Sequence, residues 1–333
     1  MIRLLHSGVP DDREGAKPLL AAPLSPEQLA SSPLCPAALA EKRAFVRPSD
    51  PGPNPIAYLE LEESPNLSQQ PFPPVYLCGT ATSSLDVART LGVHGMLPIW
   101  GSVLVLNQTT GRGQLGRSWS SPAGNIYAAL RLPFLPPFTE TAAAPAIGGL
   151  LAEALAELGG PVRIKWPNDL VRGPEEGCSD WNKIGGILLE ERPLHQPVPN
   201  SPSEASLLVA GIGLNIISAP HADEMRAGHA MPAGCLPMPT DPSGKRLPLV
   251  DFWTRLVRHT FFCYVNQIES KIPQAWRRMA ERRLAFLGQP VLLVDGPGDK
   301  ERHEGILEGL DEAGGLRLRG PYGCASFLSG SLR

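Results

Sequence analysis

From Val75 onward, short apolar runs of strand length alternate with one-sided helical periods, and this alternation limits the fold more narrowly than any other feature of the sequence. A strand buries a face and a helix buries a stripe, so such a series hides its apolar surface by laying helices on a sheet, the pattern of an α/β domain. Ser83 or Ser84 predicts a helix cap, with Leu85, Ala88 and Leu91 on one face and Asp86 at the positive end. Val103–Leu106 and Ile126–Leu132 predict buried strands. A helix rich in Ala and Leu runs to Leu158, and strands follow at Val162–Trp166, Ile184–Leu189 and Leu207–Ile217. Leu249, Phe252, Trp253, Leu256, Thr260 and Cys263 recur at helical spacing and predict a core-facing helix. Beyond Leu284 the segments shorten to Val291–Val294, Gly305–Leu310, Leu316–Arg319 and Ala325–Leu328, separated by Gly-rich turns. They predict a small β-barrel-like domain over residues 284–333.

Residues 1–74 read differently, because Pro23, Pro26, Pro33, Pro36, Pro48, Pro51, Pro53 and Pro55 interrupt any apolar period. They predict a loosely packed Pro-rich extension with one short helical candidate, Ser25–Ala30, that has Pro at its first helical position. The stretches 173–182, 193–205 and 219–248 predict surface insertions. The net charge of -3 has the wrong sign for a nucleic-acid partner, so any basic site must be local. The six cysteines form no C-x-x-C pair, which argues against a disulfide framework or structural zinc and for reduced thiols. No stretch approaches the roughly 20 apolar residues that cross a bilayer, and the N-terminus lacks a secretory apolar core. A soluble, cytoplasmic protein is expected.

The most informative stretch is Gln108-Thr109-Thr110-Gly111-Arg112-Gly113-Gln114-Leu115-Gly116-Arg117-Ser118-Trp119. Its glycines free the backbone to approach a ligand and its two arginines supply charge, so it reads as a loop that wraps an anion. A Rossmann turn would open a helix directly, which Pro122 prevents, and a P-loop would end in Gly-Lys-Ser/Thr. Three further segments carry chemistry. Arg163-Ile164-Lys165-Trp166-Pro167-Asn168-Asp169-Leu170 ends a strand with groups able to fix a base or phosphate. Lys183-Ile184-Gly185-Gly186-Ile187-Leu188 opens an apolar strand with a lysine. Gly211-Ile212-Gly213-Leu214-Asn215 sets two glycines inside a strand, where they often mark close approach of a ligand.

Together these segments resemble the biotin protein ligase family, whose hallmarks are a G-R-G-R-x-G-R-x-W loop, K-W-P-N-D-L, K-x-x-G-I-L and G-x-G-x-N. The family's S-T-N-x-x-A helix start is similar to Ser83-Ser84-Leu85-Asp86-Val87-Ala88. The likeness covers roughly residues 75–333 and includes Leu287–Val291 and the closing Ser331-Leu332-Arg333. Two positions depart from the pattern. Gln114 stands where the loop has its second arginine, which removes one cationic contact, and Leu85 stands where the helix start has Asn. The Pro-rich residues before Val75 contain no helix-turn-helix, so DNA binding is not carried over.

The resemblance implies an α+β fold, with a mixed-sheet catalytic domain over 75–283 and an SH3-like β-barrel over 284–333. It implies ATP, biotin and Mg2+, with no metal ligand assigned to the protein. Biotin is activated as biotinyl-5'-AMP and passed to a lysine of a biotin carboxyl carrier domain of acetyl-CoA carboxylase or a related carboxylase. No DNA or membrane partner is implied, and a homodimer is left open. Lys183 and Arg112 would be catalytic, the lysine screening carboxylate and phosphate and the arginine closing a lid. Ser83, Ser84, Leu85, Gln108, Gly113 and Gln114, with Arg112 and Lys183, would hold biotin. Gly111, Arg117, Trp119, Lys165, Asn168, Asp169, Asn215 and Arg333 would hold the nucleotide. A lipoate or octanoyl transfer enzyme and a non-catalytic biotin or adenylate sensor are the competing classes.

Overall fold

The computed structural model describes residues 2–5, 9–10, 19–21, 44–48, 57–61, 72–174, 180–194, 206–220, 231–237, 240, 243–269, 274–295 and 301–333. The chain divides into two compact units. One holds Met1–Phe134, Leu188–Ile217 and Thr240–Arg255, the other Leu135–Ile187, Ser218–Pro239 and Leu256–Arg333. Among the described residues, no helix is long and apolar enough to cross a membrane.

The first unit is a mixed sheet built from β1 (Ile2–Leu5), β2 (Val9–Pro10), β3 (Leu19–Ala21), β4 (Ala44–Pro48), β5 (Ala57–Leu61), β6 (Val75–Ala81), β7 (Ser102–Gln108), β8 (Ile126–Leu132) and β12 (Ser206–Leu214). Its main order is β4-β5-β1-β6-β7-β8-β12, with β3 pairing β6 at Ala21 and Ala81. The β1–β6 and β6–β7 pairs are parallel, and the β7–β8 and β8–β12 pairs are antiparallel. Helix α1 (Ser84–Val93) begins where Ser83, in extended backbone, caps it and accepts a bond from the Asp86 amide at 3.2 Å. It turns Val87, Ala88 and Leu91 onto Val103, Val105, Tyr127, Ala129, Leu207 and Val209. Each large aliphatic side chain buried this way contributes about 1.5–3 kcal/mol. Gly92 permits the approach, since a Cβ there would lie 2.6 Å from Leu207.

The N-terminal expectation needs correction. Elements do form before Val75, and β1 runs parallel to β6 with Leu4, Leu5, Val9 and Ala21 buried. Strands this short are fixed by pairing with a distant partner and leave no apolar period of their own. The helical candidate Ser25–Ala30 lies outside the described residues.

The second unit contains α2 (Ala143–Glu157), β9 (Arg163–Lys165), β10 (Asp169–Arg172), the start of β11 (Asn182–Pro193) and α4 (Ala275–Arg282). It also holds the C-terminal part of α3 (Leu249–Tyr264), a helix that begins in the first unit. Strands β9, β10 and β11 pair antiparallel, with a register shift between Leu170 and Val171. The segment after α4 lies along β9, with Ile164 donating to the Arg283 carbonyl and Ala285 donating to that of Ile164. Gly149 brings α2 close to α4, where a Cβ would stand 3.0 Å from the Ala280 Cα.

Strands β13 (Pro290–Asp295), β14 (Glu301–Leu310), β15 (Leu316–Gly320), β16 (Gly323–Phe327) and β17 (Ser331–Leu332) form the C-terminal sheet, in the order β16-β15-β14-β13-β17. The expected barrel does not close. Among the described residues β16 and β17 pair only inward, and β17, two residues long, cannot span the gap. The sheet is tied into its unit by Trp166, whose indole N–H donates to the Gly314 carbonyl at 2.9 Å.

Candidate active site

Each unit carries its own group of candidate residues. In the first, the Gly-rich loop leaves β7 and returns toward β8 as a folded hairpin. Gly113 donates to the Arg117 carbonyl and Trp119 to that of Gly111, both at 2.8 Å, and Arg112 bridges Ser118. Its tip is a 3-10 turn, Gln114–Gly116, in which Leu115 adopts the left-handed region at φ 57 and is 87% exposed. Gln114 and Arg117 are exposed there too. The base is fixed more firmly. Tyr127 donates to the Pro122 carbonyl, and the Asn125 side-chain oxygen accepts from the Ile216 and Ile217 amides at 2.8 and 2.9 Å.

Arg112 points back from this loop to the start of α1. Its Nη1 and Nη2 donate to Asp86 Oδ2 and Oδ1 at 3.1 and 3.0 Å, and Nη2 also reaches Glu190 Oε1 at 3.2 Å. Asp86 further accepts from the Thr82 hydroxyl at 2.8 Å. Burial pushes the Asp86 carboxyl up, but the bonds from Arg112 and Thr82 and the charges of Arg112 and Arg89 outweigh it, leaving the group below its ordinary value.

Ser84 lies beside this cluster. Its amide and hydroxyl both donate to the Gln108 side-chain oxygen, at 2.9 and 3.2 Å, and Gln108 passes a bond on to Ser121 at 3.0 Å. Ser83 is buried as the helix cap. The glycines of β12 serve neighbours within the unit. A Cβ on Gly211 would meet Leu85 at 2.8 Å, and one on Gly213 would meet the Trp119 indole at 2.7 Å. Leu85 is therefore a packing residue of the α1–β12 contact, and Trp119 lies against Gly213 of β12, where only glycine leaves room. Asn215 is buried just beyond β12.

In the second unit, Lys183 Nζ lies 2.6 Å from Asp169 Oδ1. Asp169 stands directly across β10–β9 from Lys165, so the two side chains share a face. Lys165 is 6% exposed. Its ammonium is pulled below the usual lysine value chiefly by burial; Asp169 opposes the shift, and the nearby charges of Lys183 and Arg333 add to it. Arg333 is held by backbone bonds in both directions with Leu292. Asn168 secures the turn, its amide donating to the Ile187 carbonyl at 2.7 Å while its own carbonyl accepts from the Ile187 amide. Lys183 is clamped by Pro232–Gly234, whose backbone accepts from its amide and donates to its carbonyl.

The sequence picked out Arg112, Lys165, Asp169, Lys183 and Arg333, and the structure gives each a charged neighbourhood. It missed Glu190 as a partner of Arg112, and it assigned Asp86 only to the helix dipole. Glu190 lies 78 positions away along the chain, and no local pattern marks the pairing. Asp86 was legible only in part: an acid one turn into a capped helix is ordinary, and only the fold shows the arginine beside it.

The Biotin/lipoate A/B protein ligase family matches residues 99–199. The chain is 32% identical to a biotin--[acetyl-CoA-carboxylase] ligase of Paracoccus denitrificans, over 66% of this chain and 85% of that protein. It is 35% identical to the bifunctional ligase/repressor BirA of Salmonella typhimurium, over 63% of this chain and 59% of the relative. A biotin protein ligase from Aquifex aeolicus, solved in complex with biotin and ATP, has the same fold, with a TM-score of 0.57 at 23% identity over 78% of this chain and 97% of that one. With its Gly-rich loop, its two lysine-bearing strand ends and this kinship, the chain belongs to the biotin protein ligase family.

Proposed function

We propose that the chain uses ATP to activate biotin as biotinyl-5'-adenylate and transfers the biotinyl group to one lysine of a carrier domain. The observation that carries this is the Lys183–Asp169 contact at 2.6 Å beside Lys165 and Arg333. Lys183 contacts Asp169, Lys165 stands across from it, and the charge of Arg333 reaches Lys165, a gathering of cations that suits a polyphosphate.

In the first step a biotin carboxylate oxygen attacks the α-phosphorus; that O–P bond forms, the bond to the β-phosphate oxygen breaks, and pyrophosphate leaves. Two anions must approach each other, and Lys183 is the compact cation that screens them. Lys165 and Arg333 hold the phosphates, and Asn168 and Asp169 keep the strand turn in register beneath them. In the second step the neutral lysine amine attacks the acyl carbon; the C–N bond forms, AMP departs with the former anhydride oxygen, and the amine gives up a proton. Arg112 and the amides of Gly111 and Gly113 lie over the intermediate, with Gln114 and Arg117 closing from the loop tip. Ser84 and Gln108 offer paired donors and acceptors to a ureido ring, with Ser83 and Leu85 fixing the helix start behind them. Trp119 and Asn215 line the nucleotide side.

Magnesium enters with the phosphates of ATP. Asn168 and Asp169, at the strand turn, are the residues that would help to place it, and it would neutralise phosphate charge there. The acceptor is a carrier domain of acetyl-CoA carboxylase or a related enzyme, and the compartment is the cytoplasm. Residues 75–283 carry the catalysis, 284–333 form the C-terminal domain, and the described strands before Val75 extend the first sheet. Incubation with labelled biotin, ATP and a biotin carrier domain tests the proposal. Label on the carrier lysine supports it, whereas bound adenylate with no transfer would make the protein a sensor.

A further inference from the structure

The loop arginine that is to meet an anion already has two acidic partners. The Arg112 guanidinium bonds to both Asp86 and Glu190, and Arg89 adds a second positive charge near Asp86. The two carboxylates are held very differently. The Asp86 side chain is 3% exposed and is fixed by two bonds from Arg112, one from Thr82 and its place on α1. Glu190 is 22% exposed and makes a single contact with Arg112, at 3.2 Å, sharing Nη2 with Asp86. Bidentate, buried charge pairs hold their geometry, whereas partly exposed single contacts exchange readily with solvent and with other anions.

Building on the proposed contact between Arg112 and the ligand, we propose that Glu190 occupies the place of the ligand's anionic oxygen in the unliganded protein and yields it on binding, while Asp86 keeps the guanidinium in position. The arrangement exchanges one carboxylate for another, so the loop arginine is never left with both faces empty, and biotin binding competes with an internal ligand. Glu190 thereby sets affinity, and Asp86 is a positioning residue for Arg112.

The test is calorimetric titration of the full chain with biotin. Glu190→Gln removes the competitor and should tighten binding by about two- to fivefold, the scale of a partly exposed ion pair. Asp86→Asn should weaken it by about tenfold or more, the scale of a lost charge-assisted hydrogen bond. In an Arg112→Ala background the Glu190→Gln change should have no effect, because nothing remains for the glutamate to occupy. Equal or weaker binding by Glu190→Gln, with Arg112→Ala still impaired, overturns this inference and leaves the role of Arg112 standing. If Glu190→Gln tightens binding equally without Arg112, the effect is general charge removal and the inference also falls. Unchanged biotin affinity in Arg112→Ala overturns both the inference and the proposed contact beneath it.

Discussion

Arg112 is bonded to two carboxylates, Asp86 and Glu190, whereas Lys183 is paired with Asp169 close to a second lysine, Lys165. We read the two arrangements as suited to different ligands. A gathering of cations is suited to the several charges of a nucleotide phosphate chain. A compensated arginine is suited to a ligand with one carboxylate, which it can take up without leaving an uncovered charge in a partly buried place. If this division is correct, damage to the second cluster should fall on activation, and damage to the first on holding the ligand and the adenylate.

The largest effect is expected at Lys183. Lys183→Ala should slow adenylate formation by about a hundred- to a thousandfold, as loss of one preorganised electrostatic contact commonly does. Pyrophosphate release on mixing with ATP and biotin measures it. Lys165 comes next and sharpens the contrast between function and stability. Its burial disfavours the charged form, so the folded state pays for the ammonium at every pH below its lowered value. That penalty lifts as pH rises through that value toward 10.5, the unperturbed lysine value, so the lysine's contribution to stability increases across this alkaline window. Lys165→Met should therefore leave the thermal midpoint equal to or above that of the wild type while weakening ATP binding by about ten- to a hundredfold. A lowered midpoint would mean that the lysine is fully compensated in place.

At the loop tip, Gln114→Arg should slow escape of biotinyl-adenylate by about tenfold, the lower end expected of a charge-assisted bond made from an exposed position. Trapping of free adenylate reads this directly, and equal escape rates would show that the tip does not reach the phosphate. The smallest expected change is at Gly213, where a Cβ would press on the Trp119 indole. Gly213→Ala should cost about 1–3 kcal/mol of stability, measurable by urea unfolding. Its effect on ligation should be small if Trp119 only seats the loop, and large if its ring plane is needed by the nucleotide.

Local pattern made much of this architecture readable. The run Ile126–Leu132 is a strand to the residue, the cap before α1 is where a serine and an acid announce it, and the Ala- and Leu-rich helix ends one residue before Leu158. The strands before Val75 were hidden because β1 derives its order from β6, more than 70 residues later, among prolines that read as irregular chain. Their burial changes what truncation should do. Deleting Ile2–Ala21 should lower the thermal midpoint, because the faces of β6 and α1 that cover Leu5, Val9 and Ala21 would be exposed. The glycines of β12 are expected to mark close approach of a ligand; the groups that approach them are Leu85 and Trp119, which a single sequence cannot distinguish from a ligand. Arg112 was legible from its loop; its restraint by Asp86 and Glu190 was not, since ion pairs between distant segments leave no trace in spacing.

The division of labour between the two clusters is tested most directly by supplying chemically made biotinyl-adenylate and carrier domain, without ATP, to Lys183→Ala and Arg112→Ala side by side. Lys183→Ala should transfer biotin at close to the wild-type rate, because the step that needs its charge has been bypassed. Arg112→Ala should remain impaired and lose adenylate to solution, because its role is to hold what has been made. Equal rescue of the two variants, or failure of Lys183→Ala to recover, would contradict the assignment of activation to the cationic cluster and of retention to the compensated arginine.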